Sequence, residues 1–128
     1  MSFACPECRR PDTLAIEGAI ELPADGRSDE IALQTLVCRA CGFRALGVYE
    51  ESRRGALDAE SWDHTGYRAA PETLAAIARR IAACPRPGDA GCACPGHAEL
   101  ARVDARGRWR APLGLDESFA LRRAEKGK

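Results

Sequence analysis

Apolar and polar positions alternate through three stretches of the N-terminal third. Thr13 to Leu22 has the alternation and β-branched content of a strand. Pro23-Ala24-Asp25-Gly26-Arg27-Ser28 then reverses the chain, with Asp-Gly at its centre. About Asp29 to Val37 alternates through Ile31, Leu33, Thr35 and Val37, and Phe43 to Tyr49 reads as a third strand. Beyond residue 50 the period changes. Asp58 is placed to N-cap a short helical turn through Trp62, which His64-Thr65-Gly66 breaks. From Pro71, Leu74, Ile77, Ala78 and Ile81 recur at i, i+3, i+4 and i+7, the single apolar face of a helix. That helix starts well, with Pro71 in its first position and Glu72 against the dipole, and must stop near Cys84 because Pro85 and Pro87 follow. Another helix is expected after Pro95, over about Ala98 to Asp104. Asp116-Glu117-Ser118 is a plausible start for a last one, docked by Phe119 and Leu121, and the tail from Ala124 to Lys128 is expected to fray.

Cysteine spacing adds what periodicity cannot. Cys5-Pro6-Glu7-Cys8 is answered by Cys38-Arg39-Ala40-Cys41-Gly42, two Cys-x-x-Cys turns with a strand-like insert between them. Each turn presents two thiolates, and a tetrahedron around Zn²⁺ closes when the second folds back on the first. Gly42 suits the positive φ that such turns often require. These residues resemble the zinc-ribbon fold group over roughly residues 3 to 50. Zinc ribbons occur in transcription factors, polymerase subunits, ribosomal proteins and many bacterial proteins of unassigned role, so the resemblance implies a metal and a fold rather than an activity.

A second cluster lies in a Pro- and Gly-rich stretch: Cys84, Cys92, Cys94 and His97 fall within fourteen positions. Cys94-Pro95-Gly96-His97 resembles a helix start, which places Cys94 and His97 on one turn and favours a thiolate at the helix N-terminus. The expectation is a second structural zinc site of Cys₃His type. Two alternatives stand beside it: Cys84 as a buried helix-end thiol, and Cys92 with Cys94 as a labile redox pair.

Composition bounds the rest. In 128 residues, aromatic side chains are only 5% and Ala is abundant, so the core is thin. A ribbon of roughly 40 residues does not hold itself together by burial alone, whereas structural zinc is worth on the order of 10 kcal/mol. The N-terminus lacks the charged and apolar regions of a secretory signal, and no apolar run approaches the ~20 residues of a membrane span. The expected compartment is the cytoplasm, where Cys pairs act as metal ligands, and an odd seven cysteines fit an all-disulfide framework poorly. Net charge is zero, with residues 1–64 at −5 and residues 65–128 at +5. That dipolar balance gives no generic attraction to nucleic acid.

Other chemistry is sparse. Trp62-Asp63-His64-Thr65-Gly66-Tyr67 contains catalytic residue types without a nucleophile beside them. Trp62 and Tyr67 are read as core plugs or, alternatively, as interface anchors, and His64 as a turn residue or an extra metal ligand. Glu50, Glu51, Asp58, Glu60 and Asp63 form an acidic run of the kind that is usually a solvated face. Arg102, Arg106, Arg108, Trp109 and Arg110 interleave basic and aromatic side chains. They form either a turn whose Trp109 folds back on the second cluster, or a nucleic-acid contact.

The expected fold is therefore a small metal-stabilised α+β unit. A three-stranded zinc ribbon fills residues 1–55, and residues 56–128 form an extension of two or three short helices with the Cys₃His cluster, packed on the ribbon as one unit. The expected function is that of a non-catalytic zinc-binding adaptor. Cys5, Cys8, Cys38 and Cys41 hold one ion and Cys84, Cys92, Cys94 and His97 a second, while Trp62, Tyr67, Arg108 and Trp109 meet a protein partner. The alternatives are a nucleic-acid-binding or transcription-associated ribbon and a thiol-based redox or metal sensor. Hydrolysis comes last, because sites closed by four protein ligands leave no position for substrate.

Overall fold

The computed structural model describes residues 2–52, 61–112 and 114–122, with the backbone alone for Ser61 and Trp62. One antiparallel sheet runs through it in sequence order. Its strands are β1 (Ser2–Phe3), β2 (Leu14–Leu22), β3 (Glu30–Cys38), β4 (Arg44–Ser52), β5 (Ser61–Ala69) and β6 (Leu115–Ala120). Two helices, α1 (Pro71–Ala83) and α2 (Pro95–Leu100), lie between β5 and β6. No helix among the described residues is long and apolar enough to cross a membrane.

This corrects the expected ribbon with a helical extension. The segment around His64 is not a break but the middle of β5, paired with β4 from Leu46↔Tyr67 to Ser52↔Ser61. Asp116 to Ala120 is no helix but β6, paired back onto β5 through Gly66↔Phe119 and Tyr67↔Ser118. The expected helical turn from Asp58, the acidic positions Asp58 and Glu60, Leu113, and the frayed tail lie outside the described residues. Trp62 belongs to β5, opposite Glu51.

The sheet curls far enough that its ends meet: the Ala4 N–H, just past β1, donates to the Arg122 carbonyl, just past β6, at 2.8 Å. The result is a half-barrel with two apolar faces. Inside lie Phe3, Leu14, Leu36 and Ala45, with Phe119 and Leu121 packed on them. Outside, Ile20, Leu22, Ile31, Leu33, Leu46 and Val48 are covered by Leu74, Ile77 and Ile81 of α1 and by Leu100.

One irregularity lets β2 serve both faces. Leu14 and Ile16 sit opposite Cys38 and Leu36, but after a register shift between Ile16 and Gly18, Ile20 and Leu22 sit opposite Leu33 and Ile31. The extra residue, Glu17, is a β-bulge, and it moves even-numbered β2 positions from the inner face to the outer one.

The inner face also holds a polar pair. His64 Nε2 lies 2.6 Å from Gln34 Oε1, an atom that only accepts, so Nε2 carries the proton. Phe3 and Tyr49 stack edge-on against the imidazole at 4.9 and 5.5 Å. Desolvation in this apolar box pushes the His64 pKa down from its ordinary value of 6.5.

Beside it, Gly47 and Gly66 face each other across β4 and β5. A Cβ on Gly66 would run into the Phe119 ring, so the glycine is the slot in which that ring lies. Gly66→Ala is expected to cost about 1–3 kcal/mol in urea unfolding, and clearly less in a Phe119→Ala background, because the two residues share one contact.

His64 adds a pH dependence. Its folded pKa is depressed, so the fold favours the neutral ring. That contribution is complete above pH ~6.5 and declines as pH falls from there toward the folded pKa. Between pH 7.5 and 5.5 the wild type should lose stability relative to His64→Gln, which keeps a donor but does not titrate. Paired urea titrations cancel the common response of the cysteines, and an unchanged gap would show that His64 takes up its proton as readily in the fold as in the unfolded chain.

Candidate metal centres

Two groups of side chains bring their ligand atoms together, all within 4.8 Å of one another in each: Cys5, Cys8, Cys38 and Cys41, and Cys84, Cys92, Cys94 and His97. All seven cysteines are free thiols.

The first group is built from the same turn used twice. The Arg9 N–H donates to the Cys5 carbonyl and the Gly42 N–H to the Cys38 carbonyl, each at 2.9 Å. Five residues beyond each leading cysteine the match repeats, with Cys5 N–H bonded to the Arg10 carbonyl and Cys38 N–H to the Phe43 carbonyl. Gly42 adopts φ 81° as its turn requires, and Arg9 takes the equivalent left-handed position at φ 63°. Pairing of Leu14 with Cys38 and of Phe3 with Leu14 then sets the two turns side by side.

The spacings suit a tetrahedral ion. Zn–S bonds of about 2.3 Å imply S···S edges of about 3.8 Å. Cys5···Cys41 is 3.7 Å and Cys8···Cys38 is 3.8 Å. The Cys38 sulfur is also prepared for negative charge. The Ala40 and Cys41 N–H groups point at it, both at 3.4 Å, and Thr13 Oγ1 lies 3.4 Å away. Burial acts to raise the Cys38 pKa, but the contacts from Thr13, Cys41 and Ala40 together overcome it and bring it to about 6. Cys5 goes the other way, pushed up by burial to about 12. Without a cation the four sulfurs cannot all be charged, and a divalent ion is the group that lets them ionise together. Cys41 is exposed, so this centre lies at the surface.

Arg68 links the first centre to the far strands. Its guanidinium bonds Glu7, inside the first turn, and lies 5.2 Å from the Phe43 ring centroid and 5.8 Å from that of Phe119. No sequence signal marked Arg68, because its partners come from three separate stretches.

The second group joins the two helices. Cys84 is the C-cap of α1, its N–H bonded to the Ile81 carbonyl, and Cys94 is the N-cap of α2, its sulfur accepting the His97 N–H at 3.3 Å. That bond is the leading cause of a lowered Cys94 pKa, whereas burial pushes Cys84 up to about 11. Cys84···Cys92 is 3.7 Å and Cys84 Sγ···His97 Nδ1 is 3.3 Å.

His97 is 1% exposed, and its other nitrogen, Nε2, lies 2.6 Å from the Glu21 carbonyl oxygen. A carbonyl only accepts, so Nε2 is protonated and Nδ1 presents its lone pair to the thiols. This is the outer hydrogen bond that orients a ligating histidine. Sequence reasoning could not find Glu21, because it contributes its backbone.

The same contact protects the sheet. β1 covers β2 only at Leu14 and Ala15. Farther along that edge the Glu21 N–H donates to the Pro87 carbonyl at 2.7 Å, while its carbonyl takes the His97 proton. Both partners belong to the segment between Cys84 and His97, so the second ligand set holds a cap over an otherwise bare edge.

The remaining predicted residues are scattered. Tyr67 packs, half-buried, against the cluster under α1. Arg108 is exposed on a hairpin pinned by a Val103↔Trp109 bridge. Trp109 folds back on that same cluster, with its indole N–H on the Leu100 carbonyl at 2.8 Å and its backbone N–H on Asp25. Asp63 is exposed and His64 lies on the inner face, so neither joins a metal cluster.

No protein-family model matches the chain, and no curated protein or solved structure matches it either. Metal binding rests on the geometry of these eight side chains.

The edge cap gives a test local to one amide. Cys94→Ser should speed hydrogen exchange at the Glu21 N–H by about tenfold or more, by freeing the Pro87 segment to open. The Ala40 and Cys41 amides, held by the first centre, should not change. Equal exchange at Glu21 in both proteins would show that the cap holds without the second ligand set.

Proposed function

We propose that the protein is a non-catalytic zinc-binding adaptor, with a zinc-ribbon-type first centre, that presents a surface to a macromolecular partner in a reducing compartment such as the cytoplasm. One observation carries this reading: each cluster already brings four protein ligand atoms within 4.8 Å of one another. A four-coordinate zinc held that way keeps no position for water or substrate, which is the mark of a structural site. Zinc is favoured over harder cations because seven of the eight ligands are thiolates. The bound ion supplies geometry, and the chain's own residues do the rest. The first set clamps the entrance of β2 to the end of β3, and the second closes the edge of β2.

Native mass spectrometry with metal quantification tests this directly. Two zinc ions per chain are expected in the wild type and one each in Cys41→Ser and Cys94→Ser, with loss of either ion lowering the thermal midpoint by about 10 °C or more. A wild type that holds one ion or none would overturn the two-centre reading.

A redox-sensing role keeps one supporting observation. Cys92 and Cys94 are partly exposed, whereas Cys84 and His97 are buried, so the second centre is open to an oxidant on one side. Zinc release from the second centre by equimolar peroxide, reversed by thiol, would favour it over the adaptor.

A further inference from the structure

A groove of about 650 Å³ runs between α1, α2 and the stretch from Arg102 to Pro112. Its apolar lining includes Ala76, Val103 and Pro112. Val103 is 52% exposed, the one large hydrophobic side chain so exposed among the described residues. An aliphatic residue held open to water at the lip of a concave surface is the usual mark of a contact.

The charged groups on the rim are incompletely matched. Arg80, Arg102 and Arg110 line the groove with Glu72 and Glu99. Glu99 serves two of the arginines at once, and loosely, at 3.5 Å from Arg80 and 3.9 Å from Arg102. Arg110 has no ion pair among the described residues. Arg102 and Arg110 also stand directly opposite each other on the hairpin, flanking the Val103↔Trp109 bridge, with the Arg110 N–H bonded to the Arg102 carbonyl at 2.9 Å. Like charges facing across an antiparallel pair destabilise it unless an anion comes between them. Planar guanidinium pairs are matched best by a carboxylate, which each can grip with two N–H groups.

We propose that this groove binds a segment of a partner protein in which an acidic residue adjoins an apolar one. The carboxylate lies between Arg102 and Arg110, and the apolar side chain fills the space beside Ala76, Val103 and Pro112. The inference rests on the adaptor reading and deepens it by naming the partner's chemistry. A nucleic-acid strand is the weaker fit: Trp109, the aromatic residue of this hairpin, packs half-buried on the core cluster with its indole N–H on the Leu100 carbonyl, which turns it away from base stacking.

The test is selection of a phage-displayed random dodecapeptide library on the immobilised, zinc-loaded full chain. Anisotropy titrations of the selected peptides follow, with a fluorescent 20-mer of oligo-dT in parallel. Selected sequences should place Asp or Glu next to Leu, Ile or Phe. Arg110→Glu and, separately, Val103→Asp should each weaken binding at least tenfold. Both residues are exposed, so the variants should keep the wild-type melt and both zinc ions. Peptides without acidic enrichment, or with affinities that neither substitution changes, would overturn the groove while leaving an adaptor with another contact surface. No selected peptide, together with tight oligo-dT binding that Arg110→Glu abolishes, would overturn both this inference and the protein-adaptor reading in favour of nucleic acid.

Discussion

Every antiparallel meander has two edge strands, and in a chain this short their exposed N–H and C=O groups decide whether the sheet stays a monomeric domain. Here each edge is closed by a different device. On one side the sheet curls until the Ala4 N–H bonds the Arg122 carbonyl, so that the chain just past the first strand meets the chain just past the last. On the other, β1 stops after two residues, and the edge of β2 passes to the segment between α1 and α2. Pro87 and His97 satisfy both backbone groups of Glu21, although neither lies in a strand. A Pro- and Gly-rich segment has little reason to hold such a position by itself. Four side chains within fourteen residues that can share one ion would give it one, and they lie against the sheet edge rather than on a free loop.

The chain spends its few large side chains on two faces instead of one. A flat three-stranded ribbon would need only one apolar face. The half-barrel needs an inner cluster and an outer one, and the bulge at Glu17 lets β2 feed both in turn. The inner cluster is small enough that a hydrogen-bonded Gln34–His64 pair and two facing glycines occupy part of it. Those features give β5 a composition that hides it. Among the residues with described side chains, its inner face carries His64, Gly66 and Arg68 and its outer face Asp63, Thr65, Tyr67 and Ala69, so neither face is cleanly apolar.

That accounts for what could be read from the sequence. Strands β2 to β4 were legible because their apolar positions recur with period two and Asp25-Gly26 marks the turn between the first pair. Helix α1 was legible because Leu74, Ile77 and Ile81 are its buried stripe. Both ligand sets were legible because chelation demands short spacings that chance seldom supplies. Strand β6 was not. Asp116, Glu117 and Ser118 are exposed and mimic a helix N-terminus, while the reason they are extended lies fifty residues away, where the Phe119 ring fits over Gly66. Cross-strand pairing is non-local information, and a local pattern read along the chain does not contain it. The same limit hid Arg68, whose partners Glu7, Phe43 and Phe119 become neighbours only after the sheet has closed.

The two ligand sets act on opposite ends of one strand. Thr13, at the entrance of β2, contacts the Cys38 sulfur, and Glu21, near its exit, is held by His97. Eight residues of extended chain separate these points by about 27 Å, too far for the two ions to influence each other through their fields in physiological salt. Any coupling between them must pass through the pairing of β2 with β3. That ladder is continuous except at the Glu17 bulge, so the bulge is where the strand can yield if one end is released. Without an ion, the surface-exposed first ligand set would leave the inner face and the Ala4–Arg122 contact less tightly held. One lost from the second would uncover the edge while leaving the inner face packed. Two candidate ligand sets in one small sheet therefore border different surfaces, and an ion bound in each would act on its own half of the fold.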